Sequence, residues 1–306
     1  MITNKKGMGI GNIQRCYHLS TLLEKKFRVF PILLGSRQEL INPFKKSFKK
    51  FERINFNLII EYLDKNNIKK IIIDYYFFPK TLLAKLRKKN IKIIKISDFN
   101  EKNDNKNYDL ILNQYISNYK NLNNLNAIII NPLIKKYRKL KKKKEITIFF
   151  GYESKLEKII NFIKAIEKVD VLKDYKKILI LFGKYNNKIK LLNKFNYLNI
   201  HHNPSNYFKI VCKSEIAFGE AGTSAIERDI FQIYSLNFIT NQNQRSTKSI
   251  LKKSKYTHFN KKNFNNSIKY FEKEILFFLK EKKRKKSSND YNFFKKINFI
   301  KLIDKI

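Results

Sequence analysis

The chain has 306 residues, 43% of them hydrophobic and 14% aromatic, so it has enough apolar surface to fold and exceeds the length of a typical single domain. Its formal charge of +41 comes from 66 Lys and Arg residues against 25 Asp and Glu residues. This charge is typical of a protein that binds a polyanion, but a Lys-, Asn- and Ile-rich composition produced by A/T-rich codons explains it better. Both explanations stay open.

The cysteines and the hydropathy pattern bear on the cellular compartment. Cys16 and Cys212 form no CxxC pair, so the sequence indicates neither a disulfide framework nor a zinc site. No apolar run approaches the length of about 18 residues that spans a bilayer, and the N-terminus lacks the apolar core of a signal peptide. We therefore expect a cytoplasmic protein that needs no metal and no cofactor.

The first half alternates short apolar segments with amphipathic ones, which predicts parallel strands joined by helices. The predicted strands are Phe27–Leu34, Lys70–Asp74, Ile91–Ser97, Tyr108–Asn113 and Ala127–Asn131. The predicted helices are Ile13–Lys26, Leu58–Asn66 and one that Pro79 opens.

A domain boundary is expected near residue 140, because Asn131 and Pro132 interrupt the pattern and the basic run Lys135–Lys144 cannot be buried. The same alternation then restarts. The predicted strands are Ile146–Phe150, Lys177–Phe182, Glu215–Phe218 and Tyr234–Ile239, and the predicted helices are Lys155–Glu167, Ser205–Lys213, Ser224–Ile230, Ser246–Ser254 and Phe264–Lys280. The segment His201–Pro204 is expected to form a strand-to-loop turn, and no third ligand is spaced to make its histidines a metal site. We expect α/β domains over 1–140 and 141–290, followed by a C-terminal helix over 291–306.

The loops after the strands are the expected ligand sites, since open parallel sheets bind ligands beyond the carboxyl ends of their strands. The segments Tyr75–Phe78, Gly151–Ser154 and Gly219–Thr223 are expected to face a shared cleft. Asp74 and Asp98 end apolar strands, where carboxylates cap loops and sometimes catalyse.

A glycine turn at Gly219–Ser224 lies between a predicted strand and a predicted helix. Backbone N–H groups of Gly222, Thr223 and Ser224 can hold a diphosphate there, and Glu227, one turn later, can accept hydrogen bonds from two ribose hydroxyls. The alternative is an ordinary helix start in which Ser224 and Glu227 form a capping box. The spacing alone does not decide between the two.

Gly7–Asn12 is a similar glycine-rich turn before a helix. It is either a binding site for an anion or a sugar hydroxyl, or a simple tight turn.

Several of these segments together resemble one family, the UDP-2,4-diacetamido-2,4,6-trideoxy-altropyranose hydrolases of pseudaminic acid biosynthesis, which are relatives of the MurG-type glycosyltransferases. The resemblance extends in order from Gly7 to Tyr256. The segments that carry it are Gly9–Cys16 (family GxGHxxRC), Ile73–Tyr76, Ile96–Asp98, Tyr108–Gln114, Ala221–Arg228 and Asn243–Arg245. It implies an α/β protein with two Rossmann-like domains facing a cleft, the GT-B fold.

The resemblance also implies roles for individual residues. Gly222 and Thr223 would hold the phosphates of a UDP-sugar, with Ser224 beside them in the binding site, Glu227 would hold the ribose, and Asn243 and Gln244 would approach the donor sugar. Gly11, Arg15 and Gly151 would be further substrate-binding residues. The candidate catalytic residues are Asn12 and Tyr76, which would orient water or an acceptor, with Tyr76 lining the sugar site. Asp98 is a third candidate, which would activate the water if Asn12 does not replace a lost base.

The sequence departs from the family at three places. Asn12 stands where the hydrolases have His, and an amide cannot act as a general base. The glycine-rich turn that opens the second domain is reduced to Phe150–Glu153. Only Met1–Asn4 is available for the first strand, so we expect the upstream reading frame to encode about four to six further apolar residues.

The leading functional prediction is a UDP-sugar hydrolase of the pseudaminic acid pathway type, which releases UDP in surface-glycan synthesis. The alternatives are a GT-B glycosyltransferase, with an acceptor hydroxyl in place of water, and a nucleotide-sugar-binding relative without catalysis. A nucleic-acid partner is not expected, because Lys is spread through nearly every predicted helix instead of one face. Peripheral contact with an anionic membrane stays open.

Overall fold

A computed structural model describes residues 2–3, 11–34, 52–75, 78–97, 107–113, 124–126, 129, 131, 134–152, 154–252 and 254–284. The chain folds into two compact units, one within Met1–Pro132 and the other within Leu133–Asn292. Both units are α/β, and all the paired strands that the structure describes run parallel. The α/β class with parallel sheets is therefore confirmed.

The first unit contains two parallel sheets among its described residues, in the orders β1-β2-β3 and β4-β5-β6-β7. The strands are Ile2–Thr3 (β1), Ile32–Leu34 (β2), Glu52–Ile54 (β3), Lys70–Ile73 (β4), Lys92–Ser97 (β5), Leu110–Asn113 (β6) and Asn124–Asn126 (β7). The helices are Gly11–Leu23 (α1), Ile59–Lys65 (α2) and Lys80–Lys88 (α3). Ile59, Leu63, Leu86 and Ile93 are buried where helices α2 and α3 pack on the second sheet.

The second unit contains one six-stranded parallel sheet. Its strands are Lys143–Phe149 (β8), Lys176–Leu181 (β9), Leu198–His202 (β10), Ser214–Glu220 (β11), Tyr234–Phe238 (β12) and Thr257–Phe259 (β13). Its helices are Ile134–Tyr137 (α4), Leu156–Glu167 (α5), Tyr207–Val211 (α6), Thr223–Ile230 (α7), Arg245–Leu251 (α8) and Ile268–Arg284 (α9).

The strand order of this sheet locates a crevice. The order is β10-β9-β8-β11-β12-β13. Strands β9 and β10 therefore follow β8 toward one edge of the sheet, and strands β12 and β13 follow β11 toward the other edge. Right-handed crossovers place the connections after β8 and after β11 on opposite faces of the sheet. The loops that leave these neighbouring strands therefore diverge, and ligands of doubly wound sheets bind at this switch point.

A phenylalanine-rich core supports the carboxyl edge of the sheet. The ring of Phe150, directly after β8, stacks on Phe238 of β12 at 5.8 Å between centroids and packs against Phe162 of α5 at 4.9 Å. Phe162 also contacts Phe271 of α9 at 5.1 Å. Since all four rings are buried, the loops at this edge rest on a closely packed base.

Some observed elements differ from the predicted ones. The predicted strand Phe27–Leu34 is reduced to Ile32–Leu34, since Pro31 has no N–H to donate to a ladder. Strand β10 (Leu198–His202) was not predicted, although the strand-to-loop turn expected at His201–Pro204 is found: both histidines end the strand, and the turn follows at Asn203 with φ 48°.

Two further edge strands were not predicted, β7 (Asn124–Asn126) and β13, and most of the strand expected over Ala127–Asn131 lies outside the described residues. The predicted helix over Tyr291–Ile306 lies outside the described residues. Within the described part of the chain, no helix has the length and apolar character to cross a membrane.

Candidate functional site

The loop after β8 begins at Gly151, whose φ of 89° lies in the left-handed region that favours glycine. Side chains fix the loop from two directions. The Ser154 hydroxyl donates a hydrogen bond to the Phe150 carbonyl oxygen, and the Tyr185 hydroxyl donates to the Ser154 carbonyl oxygen at 2.8 Å. The predicted binding residue Gly151 is thus held at the switch point of the sheet.

The loop after β11 leads directly into helix α7, with Gly222 as the N-cap residue. Ala225 N donates to the Gly222 carbonyl oxygen at 2.9 Å, so the helix starts at Thr223 and the alternative capping box of Ser224 and Glu227 is not formed. Gly222 has no side chain to cap the helix, and apart from its chain neighbours no described atom lies within 4 Å of a Cβ built at this position. The turn therefore has open space beside the positive end of the helix dipole.

A buried arginine holds this turn in place. Arg228 of α7 donates from Nη2 to the Glu220 carbonyl oxygen at 2.7 Å and from Nε to Asn237 Oδ1 at 3.2 Å. The Asn237 amide in turn donates to Ser235 Oγ at 2.9 Å and to the His258 carbonyl oxygen at 3.1 Å. This network links the helix to the ends of strands β11, β12 and β13.

Gly219 makes the close approach in this region possible. A Cβ atom at this position would lie 2.0 Å from the Phe149 carbonyl oxygen and 3.0 Å from Arg228 Nη1. Only a residue without a side chain fits between the neighbouring strand and the guanidinium, so the glycine is required by packing.

Glu227, the predicted ribose residue, is buried on helix α7 with 8% exposure. Burial raises the pKa of its carboxyl to about 8, although the nearby Arg228 opposes the shift. The Tyr207 hydroxyl of α6 lies beside it and is buried, and it makes no hydrogen bond of normal geometry among the described residues. At neutral pH the Glu227 acid is mostly protonated, so it can donate as well as accept a hydrogen bond.

This burial predicts a pH-dependent stability. The pKa of Glu227 is higher in the folded chain than in the unfolded one, so wild type loses stability as pH rises from about 4.5 to about 8. Glu227→Gln removes that loss. We expect the variant to melt at least about 3 °C above wild type at pH 9, which corresponds to about 1 kcal/mol, and to match it near pH 4.5. Calorimetric melting curves across this pH range test the prediction, and a constant difference between the proteins would contradict it.

A carboxylate that the sequence analysis did not single out lies between the two loops. Glu220 ends strand β11; its Oε1 accepts from Lys158 Nζ at 2.5 Å, and its Oε2 accepts from Gln244 Nε2 at 3.2 Å. Gln244 is itself fixed, since its Oε1 accepts from Thr240 N at 2.7 Å. The predicted residues Gly151 and Gln244 thus both lie next to Glu220. In the sequence, only the position of Glu220 at the end of an apolar run indicated that it could belong to a site.

The remaining predicted site residues are less defined. Gly11 begins helix α1, and the side chains of Asn12 and Asn243 lie outside the part of the chain that the structure describes. Tyr76 and Asp98 lie outside the described residues altogether. These assignments stay predictions.

Arg15 of the first unit has a buried partner. Its guanidinium forms an ion pair with Asp74 at the end of β4, and Cys16 Sγ donates to the same carboxylate at 3.4 Å. Burial and Asp74 raise the pKa of the Cys16 thiol, which keeps it protonated. The pair joins two of the segments that carry the family resemblance.

No family model and no curated protein matches the sequence. Solved structures do match. MurG of Acinetobacter baumannii is 9% identical, with 100% of this chain and 99% of that chain covered and a TM-score of 0.62. UDP-GlcNAc 2-epimerase from Neisseria meningitidis, bound to UDP-GlcNAc, is 10% identical, with 99% and 97% covered and a TM-score of 0.61. The spinosyn rhamnosyltransferase SpnG is 7% identical, with 91% of each chain covered and a TM-score of 0.64. These likenesses show that the chain has an α/β fold of the GT-B type.

Proposed function

We propose that the protein is a GT-B enzyme that binds a UDP-sugar and transfers the sugar to an acceptor hydroxyl. The observation that carries the proposal is the open Gly222 turn at the switch point of the second sheet, followed on the same helix by Glu227. Helix N-termini of this kind bind phosphate. The fold likeness to MurG and to a rhamnosyltransferase supports sugar transfer, and the likeness to a UDP-GlcNAc 2-epimerase supports the binding of a UDP-sugar.

Protonated Glu227 suits this assignment. Two anions close together in a poorly solvated site repel each other, and a neutral acid avoids repulsion with the diphosphate. The same acid can hydrogen-bond both ribose hydroxyls, once as donor and once as acceptor.

A hydrolase of the pseudaminic acid pathway type is the second candidate. It is favoured by the Gly9–Cys16 motif and by the contacts of Arg15 and Cys16 with Asp74, which join two segments of the resemblance. In such an enzyme water takes the place of the acceptor. This hydrolase would act in surface-glycan synthesis.

The reaction is tested by incubating the protein with a panel of UDP-sugars, with and without candidate acceptors, and identifying the products by mass spectrometry. Sugar transfer that requires an acceptor supports the proposal, and UDP release in water alone supports the hydrolase. Binding without turnover under either condition would contradict both and leave a nucleotide-sugar-binding protein.

Glu227→Ala is expected to weaken UDP binding about fivefold to a hundredfold, the range for losing hydrogen bonds to a carboxyl group. Isothermal titration calorimetry measures the change. Asp229→Ala is the matched control, since Asp229 is a partly buried carboxyl on the same helix whose Oδ1 accepts from Thr257 Oγ1 at 2.8 Å. Equal UDP affinity in the two variants would mean that Glu227 does not hold the ribose.

A further inference from the structure

The carboxylate of Glu220 stands where a bound ligand can reach it. Glu220 is the last residue of β11, at the switch point of the sheet and two residues before the Gly222 turn. Its side chain keeps 16% exposure and that of its partner Lys158 keeps 14%. The carboxylate is therefore partly desolvated without being sealed from solvent.

Its two described donors leave hydrogen-bonding capacity unused. A carboxylate offers about four lone-pair positions. Within the part of the chain that the structure describes, Lys158 Nζ and Gln244 Nε2 are the side-chain donors to Glu220, so about two positions remain. Gly151 borders the same carboxylate, since a Cβ built there would lie 3.5 Å from Oε2. The oxygen thus faces a residue without a side chain.

Both donors are held in place. The Lys158 ammonium lies 5.7 Å from the centre of the Phe150 ring and 5.6 Å from that of Phe264, which are cation–π distances. The Gln244 amide is oriented by the hydrogen bonds that its oxygen accepts from Thr240 and Asn241. Glu220 is therefore presented in one orientation, as a preorganised acceptor requires.

The charge of Glu220 limits which ligand groups fit. Lys158 compensates the carboxylate, so a diphosphate can bind at the nearby Gly222 turn without an unpaired negative charge beside it. A second carboxylate in direct contact with Glu220 would be repelled, whereas hydroxyl groups would donate to it.

We propose that Glu220, oriented by Lys158 and Gln244, accepts hydrogen bonds from the hydroxyls of the sugar in the bound nucleotide-sugar, and that it selects neutral sugars over sugar acids. This inference rests on the proposed function, and it adds the class of sugar that the site accepts.

The test uses calorimetric affinities of the full chain for UDP, UDP-GlcNAc, UDP-glucose and UDP-glucuronic acid. We expect wild type to bind at least one neutral UDP-sugar about tenfold more tightly than UDP-glucuronic acid, the equivalent of about 1.4 kcal/mol. Glu220→Gln should reduce this ratio to about threefold or less while the affinity for UDP changes less than twofold.

Glu215→Gln is the matched control, because Glu215 lies at the other end of the same strand and also accepts from a lysine, Lys282, at 2.6 Å. It should leave the ratio unchanged.

Glu220→Asp, which keeps the charge, is the second variant if Glu220→Gln does not fold. It should lower the affinity for the preferred neutral sugar but not for UDP. An unchanged ratio in Glu220→Gln, or equal wild-type affinity for neutral and acidic sugars, would overturn the inference alone. Absence of UDP binding to wild type would overturn the proposed function as well.

Discussion

Arg228→Met is expected to lower the free energy of unfolding of the second unit by about 3 to 5 kcal/mol, as removal of one partner from a buried polar network does. Arg228 is 1% exposed, and its guanidinium donates to the Glu220 carbonyl oxygen and to Asn237 Oδ1. Methionine fills much of the aliphatic volume but leaves both acceptors unsatisfied. Because Glu220 precedes the Gly222 turn, we also expect weaker UDP binding.

Calorimetric unfolding of the full chain measures this loss. Arg245→Met is the control, since Arg245 is exposed at the start of α8 and should change stability by no more than about 0.5 kcal/mol. Arg228→Lys should rescue little, because an ammonium lacks the planar fork that reaches both acceptors. If Arg228→Met has the same melting temperature as Arg245→Met, the network does not stabilise the turn.

Asn12→His is expected to raise the rate of UDP release from a suitable UDP-sugar about a hundredfold to ten-thousandfold, the usual contribution of a positioned general base. The prediction applies to the hydrolase candidate, in which His stands at this position of the motif. Imidazole can take a proton near neutral pH, whereas the Asn amide cannot. The affinity for UDP should stay nearly constant, because the proposed nucleotide residues Gly222 and Glu227 belong to the other unit.

Gln14→His is the matched control, since position 14 lies on the same helix α1 but about 200° further around its axis. Steady-state rates of UDP release for the three proteins test the prediction. If wild type hydrolyses the sugar as fast as Asn12→His, Asn12 is not a lost base, and another group activates the water. Turnover of both proteins only with an acceptor would support the transferase.

The α/β class and most of the helices and strands could be predicted from the sequence, because each depends on local patterns. The runs at Lys92–Ser97 and Lys176–Leu181 are central strands of parallel sheets, and strands covered on both faces are largely apolar along their length. The turn at Gly222 and the helix that carries Glu227 were also predictable, because they too depend on a local sequence pattern. The edge strands β10 and β13 were not, since they are polar or short and owe their structure to the neighbouring strand.

Only the tertiary structure decided the chemistry of the candidate site. Lys158 and Glu220 are 62 residues apart in sequence, and they meet because the strand order makes β8 and β11 neighbours. Arg228 looks like a surface residue of a short helix, yet packing against β11 and β12 buries it. The raised pKa of Glu227 likewise follows from burial, which no local pattern encodes. Local sequence determines which segments form helices and strands, whereas long-range packing determines which polar groups meet and how far they are removed from water.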